Sequence, residues 1–188
     1  MIHVEAPLKG VQILQLKAGD RVLLSGTVYT ARDAAHQRMQ EQIQRGEALP
    51  FPLENQVIYY VGPTPAPPGK VIGSAGPTTS GRMDAFTPLL LRQGIRGMIG
   101  KGGRSPEVME AIKKVRAVYF AAVGGAGALI ARSIQEAEVI AYDDLGTEAV
   151  RRLRVENLPL VVAVDSRGDN YYRIGPEKYR EEQGCTPK

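Results

Sequence analysis

Four prolines crowd the eight residues Gly62-Pro63-Thr64-Pro65-Ala66-Pro67-Pro68-Gly69, and no other stretch restricts the backbone as severely. Each proline fixes φ and lacks an amide donor, so the tract forms neither a helix nor a central strand. Cutting the chain here would leave an N-terminal piece of about 60 residues, marginal as an independent unit. The tract is therefore expected to be a stiff surface crossing. The chain of 188 residues is expected to form one domain over 1–188, able to bury a core without disulfides or metals.

The flanking segments alternate between two periodicities. Val11 to Leu16 and Arg21 to Tyr29 read as strands separated by the turn Ala18-Gly19-Asp20, and Val57 to Val61 as another. From Thr30 to about Arg45 the apolar residues Ala31, Ala34, Ala35, Met39 and Ile43 recur at helical spacing. Lys70 to Ala75 is strand-like, an amphipathic helix is predicted from Arg82 to about Gln93, and Gly97 to Ile99 reads as a buried strand. Ser105-Pro106-Glu107 carries the marks of a helix start: a capping hydroxyl, a proline at the first helical position and an acid facing the dipole. Val115 to Val123 reads as a strand, Gly124 to Gly127 as a tight turn and Ala128 to Ile134 as a short helix. Val139 to Tyr142, Leu160 to Val164 and Tyr171 to Arg173 complete the strands, the last two joined by a hairpin-like turn over 165–170. Strands alternating with helices, with strand-rich ends, imply an α/β fold of layered sheets.

The chemistry concentrates in Gly76-Pro77-Thr78-Thr79-Ser80-Gly81-Arg82-Met83-Asp84. A strand feeding a glycine-bounded hydroxyl loop and then a helix aims backbone N–H groups, the helix dipole and a guanidinium at one small volume suited to an anion. The spacing imitates the phosphate loop GxxxxGK[ST], but Arg82 stands at the lysine and Met83 where the magnesium-binding hydroxyl belongs. Arginine's planar fork matches a carboxylate with two parallel hydrogen bonds, so a carboxylate is favoured over a nucleotide. The alternative is a capping loop whose hydroxyls only satisfy first-turn amides. Gly124-Gly125-Ala126-Gly127 follows a strand but lacks the spacing of a dinucleotide fingerprint, since Ile130 stands where its last glycine is due; close helix–strand packing is the simpler reading.

Composition narrows the classes. The formal charge of +4 arises from 24 basic and 20 acidic residues spread along the chain. Its densest cluster, Arg151-Arg152-Leu153-Arg154, reads as a solvated helix face and argues against nucleic acid. With one cysteine and two histidines, no internal disulfide is possible and no zinc or iron–sulfur site can be built from this chain alone. Cys185 reads as a free thiol without a role. No apolar run reaches the roughly 18 residues of a membrane span, and the N-terminus lacks a secretory pattern, so a cytoplasmic address is expected.

The string Gly76 to Asp84, together with Met98-Ile99-Gly100-Lys101-Gly102 and Thr30-Ala31-Arg32-Asp33-Ala34-Ala35-His36, resembles the β-type half of class I iron–sulfur fumarases and L-tartrate dehydratases. The glycine turn after Val123 and the stretch from Leu158 through Asp165 to Asp169 are also similar to that family, so the resemblance covers about residues 10 to 175. It implies a swivelling three-layer β/β/α domain. It further implies an α-type partner that holds a four-iron four-sulfur cluster through three cysteines, with no cofactor bound by this chain and a hetero-oligomer as the working state.

Carried over residue by residue, the resemblance makes Arg32, Arg82 and Lys101 the substrate-carboxylate ligands. Thr78 becomes a hydroxyl near the reacting carbons and the candidate catalytic residue of this chain. Asp33 could orient Arg32 or cap its helix, and His36 could be a supporting donor, a titrating group or a structural hydrogen bond. Thr79 and Ser80 are assigned first to loop capping and second to substrate contact. Arg104, Asp84, Asp143 and Asp144 read as structural or solvated. The activity implied is reversible hydration of a C4 dicarboxylate, fumarate to malate first. L-Tartrate dehydration and a non-catalytic dicarboxylate-binding domain are the alternatives.

Overall fold

The computed structural model describes residues 1–182. Its strands are β1 (Ile2–Ala6), β2 (Arg21–Thr30), β3 (Val57–Tyr59), β4 (Gly97–Gly100), β5 (Val118–Ala121), β6 (Ile134–Ala141) and β7 (Val150–Val164). Its helices are α1 (Gly10–Gln15), α2 (Asp33–Arg45), α3 (Thr87–Arg92), α4 (Pro106–Val115), α5 (Gly127–Ala131) and α6 (Tyr171–Glu182), with 3₁₀ segments at Ser80–Met83 and Asp143–Glu148. Among the described residues no helix is long and apolar enough to cross a membrane.

Strands β1 to β5 pair in sequence order and in parallel. β7 runs antiparallel to β2, β5 and β6. The two long strands divide their length between partners. β2 gives residues 22–26 to β1 and 29–30 to β3, while β7 gives 150–155 to β6 and 161–164 to β5. Because β2 and β7 also pair with each other, β2, β3, β4, β5 and β7 form a closed circuit of hydrogen bonds.

Side chains of the short parallel strands are buried on both faces, which is why these segments read as continuous apolar runs. Val57, Tyr59, Ile99, Val118 and Phe120 join a core with Val22, Leu24, Val28, Leu153, Val155 and Val162 from β2 and β7. Their neighbours Ile58, Tyr60, Met98 and Tyr119 face a second core with Ala35, Met39, Leu90, Leu91, Val108 and Ile112 from α2, α3 and α4. Ser105 caps α4 as its sequence predicts, its Oγ accepting the Val108 N–H at 3.4 Å.

Several local expectations are corrected. Val11 to Leu16 belongs largely to helix α1, where Ile13 and Leu16 turn inward at helical spacing. Tyr171 to Arg173 opens α6, because the Asn170 side chain accepts the Tyr172 N–H at 3.0 Å and so caps a helix; the 165–170 turn therefore joins a strand to a helix. The basic run 151–154 lies in β7, with Arg152 and Arg154 reaching Glu138 and Glu136 of β6 while Leu153 and Val155 point inward, a period of two. β1 and the first half of β7 were not foreseen. Lys70 to Ala75 forms no strand; Thr64 and Ser74 exchange hydrogen bonds across it, and the prolines beside Thr64 supply no donors to extend a ladder. The helix predicted over 82–93 is broken into the 3₁₀ turn and α3, which starts at Thr87 with Pro88 in its first turn. The proline tract carries no helix or strand, and Cys185 lies outside the described residues.

The turn after β7 depends on Asp165, whose side chain is only 1% exposed. Its carboxylate accepts the N–H groups of Ala18, Arg167 and Asp169 and the Arg167 guanidinium. Burial pushes its pKa up, but those donors outweigh it and hold the carboxyl below its ordinary value. Its contribution is therefore complete above the unfolded value of about 3.9 and is lost as pH falls below it. Asp165→Asn is expected to cost about 2–4 kcal/mol at pH 7 and to flatten the acid limb below about pH 4, as read by urea unfolding across pH.

Candidate active site

Ligands of α/β sheets gather at the carboxyl ends of parallel strands, and the residues singled out from the sequence converge there. Ala31, just past β2, donates its N–H to Tyr59 O at 3.2 Å, and Tyr60 donates to Ile99 O at 2.8 Å. The 78–80 segment then lies alongside as a strand-like extension. Thr78 N–H donates to Tyr60 O at 2.7 Å, Lys101 N–H to Thr78 O at 3.3 Å and Ser80 N–H to Lys101 O at 2.8 Å. The amides of Thr78 and Ser80 are thus spent on backbone pairing, and Arg82 closes a single 3₁₀ turn instead of opening a helix. Those two amides are therefore withdrawn from the expected cradle, and no α-helix begins at Arg82 to supply a dipole.

Arg32 stands at the N-cap of α2. A carbon added to Gly62 would lie 2.9 Å from its Nη1, so the guanidinium passes directly over the chain leaving β3. Arg32 Nη2 lies 3.7 Å from Asp33 Oδ2 and 3.4 Å from Glu148 Oε1. Arg82 Nε donates to the other Asp33 oxygen at 2.9 Å, and its side chain is 52% exposed. One carboxylate, Asp33, therefore gathers the two arginines. The first-turn amide of α2, at Ala34, is capped by Glu148 at 2.9 Å and not by Asp33. Lys101 is exposed on the next strand end, where a carbon on Gly124 would sit 3.5 Å from its Cδ and 3.9 Å from its Nζ. Lys101 is linked to the loop that carries Arg82 through its backbone pairing with Thr78 and Ser80. Thr78 is half-buried between them and Thr79 is exposed, without a capping bond. Ser80 is buried, its Oγ 2.8 Å from Tyr119 Oη.

His36 is fully buried against Tyr60 and Phe86. Its Nδ1–H donates to Arg32 O at 2.8 Å, which fixes the tautomer and ties the imidazole to the α2 N-terminus. Burial lowers its pKa to about 4, so the ring is neutral at pH 7 and serves as a structural donor. Arg32 Nε, Asp33 Oδ2 and His36 Nε2 are buried without hydrogen-bond partners, a concentration of unspent polarity at this helix end.

Three contributors were not singled out beforehand: Glu148, Tyr119 and Tyr60. Arg104 was read as structural or solvated, and its side chain is fully buried. Its Nε donates to Asp84 at 2.7 Å and its Nη2 to Thr87 Oγ1 at 2.8 Å, and the guanidinium lies 5.0 and 5.4 Å from the Tyr119 and Tyr60 ring centroids. The run Gly100 to Arg104 holds two cations with opposite fates, one outward and one locked in the core. Only the glycines around Lys101 hinted at the difference.

Two arginines and a lysine thus stand at or beside the strand ends of a mixed α/β sheet. The chain belongs to the family described as Fumarase C-terminus, whose family model matches residues 1–175. It is 37% identical over 176 residues to the aerobic class I fumarate hydratase of Escherichia coli (strain K12), covering 92% of this chain and 32% of that protein. It is 40% identical over 175 residues to fumarate hydratase 2 of Leishmania major, covering 91% and 31% respectively. A Methanocaldococcus jannaschii chain, named provisionally as an L(+)-tartrate dehydratase subunit beta, is 39% identical over 175 residues and is matched over 90% of both chains. The chain thus spans about a third of the length of the fumarate hydratases it matches and nearly the whole of the beta-subunit relative.

An iron–sulfur cluster does not fit this chain: the sequence has one cysteine, and among the described residues no three His, Cys, Asp or Glu side chains gather to hold a metal ion.

Because the His36 pKa in the folded chain lies below its ordinary 6.5, its stabilising contribution is complete above about pH 6.5 and is lost as pH falls towards 4. Unfolding free energy is expected to drop by about 3 kcal/mol across that window. In His36→Asn, which keeps a donor towards Arg32 O, that slope should vanish in urea titrations between pH 4 and 7.5.

Proposed function

We propose that this chain is the β-type half of a hydro-lyase that adds water to, or removes it from, a C4 dicarboxylate. The observation that carries the reading is the convergence of Arg32 and Arg82 on Asp33, beside Lys101 on the adjoining strand end. Among the described residues the Arg82 side chain makes no hydrogen bond other than that from its Nε, so both its Nη groups remain for a second carboxylate. A substrate with two negative ends is then held at one end by the arginine pair and at the other by Lys101, which fixes its orientation. The same cations stabilise negative charge developing beside a carboxylate as a proton leaves the neighbouring carbon. Thr78 offers a hydroxyl between the two grips. An unperturbed hydroxyl is a poor base, so Thr78 positions a proton and the base belongs to the partner.

The class I family chemistry calls for an iron–sulfur cluster. With no ligand set in this chain, that group falls to an α-type partner, and the working enzyme is a hetero-oligomer. Two features support a partner: the relatives named as fumarate hydratases are about three times as long as the matched segment, and Val123 (66% exposed) and Leu129 (58%) flank the turn beneath Lys101. The two cores support reading the chain as one swivelling β/β/α domain, with α2 to α4, the parallel strands and the β2–β7–β6 ribbon as its layers. Fumarate is the first substrate proposed. L-Tartrate is the second, favoured by the relative of equal length.

Co-expression with a chain bearing three cluster-ligand cysteines, followed by anaerobic assay on fumarate, malate and L-tartrate, tests the proposal. Arg82→Lys is expected to lower kcat/KM by about 10- to 100-fold, because a lysine keeps the charge but not the fork. Wild-type kinetics in that variant would remove Arg82 from the site. Tight malate binding by the isolated chain, with no activity in the pair, would favour a binding module. Leu129→Glu is expected to weaken co-purification of the two chains without altering the thermal midpoint of this one, since an exposed side chain adds little to its own fold.

A further inference from the structure

Lys101 projects from the dipeptide Lys101-Gly102, and all four polar groups of that dipeptide's backbone are tied down. Lys101 N–H and C=O pair with Thr78 and Ser80 of the site loop at 3.3 and 2.8 Å. Gly102 N–H donates to Tyr172 Oη of α6 at 3.0 Å, and Gly102 O accepts from Tyr119 Oη at 2.8 Å. A phenol carries a single proton. Since Tyr119 spends it on Gly102 O, the 2.8 Å contact between Ser80 Oγ and Tyr119 Oη is donated by Ser80. The chain of donors therefore runs one way, from Ser80 through Tyr119 to the carbonyl just beyond Lys101.

The packing leaves this chain little slack. Tyr119 is fully buried in β5, with the Arg104 guanidinium 5.0 Å from its ring centroid. A carbon on Gly100 would overlap Ser80 Oγ, so the serine sits hard against the end of β4. Gly102 has φ +82°, a conformation that glycine adopts without strain and that turns the chain sharply after Lys101.

We propose that Tyr119 is the positioning residue of Lys101: through its bond to Gly102 O it fixes the turn from which the ammonium is aimed across Gly124. Its effect on substrate rests on the dicarboxylate reading above; its effect on the loop does not. Ser80 aligns the phenol, and Tyr172 of α6 holds the opposite side of the same glycine. Ser80 thereby acquires a role that neither capping nor substrate contact describes.

The test uses Tyr119→Phe, which keeps the ring and the core, with Tyr172→Phe as a second variant on an exposed helix that does not threaten folding. NMR relaxation of the full chain is expected to show the backbone order parameters at Lys101 and Gly102 falling from about 0.85 towards 0.6 in both variants, with other strand ends unchanged. In the assembled enzyme KM for the dicarboxylate should rise about 3- to 10-fold with kcat little altered, and Tyr119→Phe should add nothing in a Lys101→Met background. Unchanged order at 101–102 in both variants would overturn the positioning role. Lost order with an unchanged KM would uphold it and remove Lys101 from the substrate site. An additive loss in the Lys101→Met background would make Tyr119 merely structural.

Discussion

Parallel strands of three and four residues make too few hydrogen bonds to hold a sheet by themselves, and here β3, β4 and β5 are closed into a circuit with β2 by a strand of fifteen, β7. Its antiparallel pairing with β2 on one side and β5 on the other closes a circuit around the first core. Closure fixes the ends of β2, β3, β4 and β5 relative to one another. Arg32 and Lys101 lie on chain leaving two of those ends, and the loop that carries Thr78 and Arg82 is hydrogen-bonded to Tyr60 and Lys101 beside them, so the placement of the proposed ligands depends on the circuit that β7 closes.

The electrostatics separate a cation sealed in the core from cations left at the rim. Arg104 is sealed between two tyrosines with Asp84 as its counter-ion, an arrangement whose value depends on leaving neither charge unpaired. Arg32 and Arg82 share Asp33 at a half-exposed rim, where solvent weakens each pair. Glu148 lies 3.4 Å from Arg32 as well, so two carboxylates balance the two guanidiniums at this end. In the proposed reading a substrate carboxylate is therefore drawn by hydrogen bonds to the unspent Nη groups of Arg82 and not by a surplus of charge around Asp33.

The legible part of this architecture was local and chemical. Gly76 to Asp84 reads as an anion loop because of its residue types, Arg82 among them, whereas Arg32 and Lys101 enter as substrate ligands only through the family resemblance. The use of the loop was not legible: Thr78 and Ser80 give their amides to Tyr60 and Lys101, partners distant in sequence, and no spacing within the loop announces that. The same limit explains Arg151 to Arg154. Two arginines either side of a leucine suit a helix face or a strand edge equally, and only Glu136 and Glu138, presented at matching register by β6, decide for the strand. α1 and α6 failed for a different reason, since a single turn of apolar spacing cannot be told from alternation until a cap such as Asn170 is weighed.

An active site built wholly within one chain would bury its cations to strengthen their grip. This rim does the reverse: Arg82 is half exposed and Lys101 stands over an open glycine turn bordered by Val123 and Leu129. Exposed charges in water discriminate poorly, so a rim of this kind gains strength only when another surface excludes the solvent. A chain that supplies rigidly aimed cations but has one cysteine suits that division of labour. In the proposed enzyme its side fixes the geometry of the two carboxylates, while the covering side supplies dryness and the reactive group.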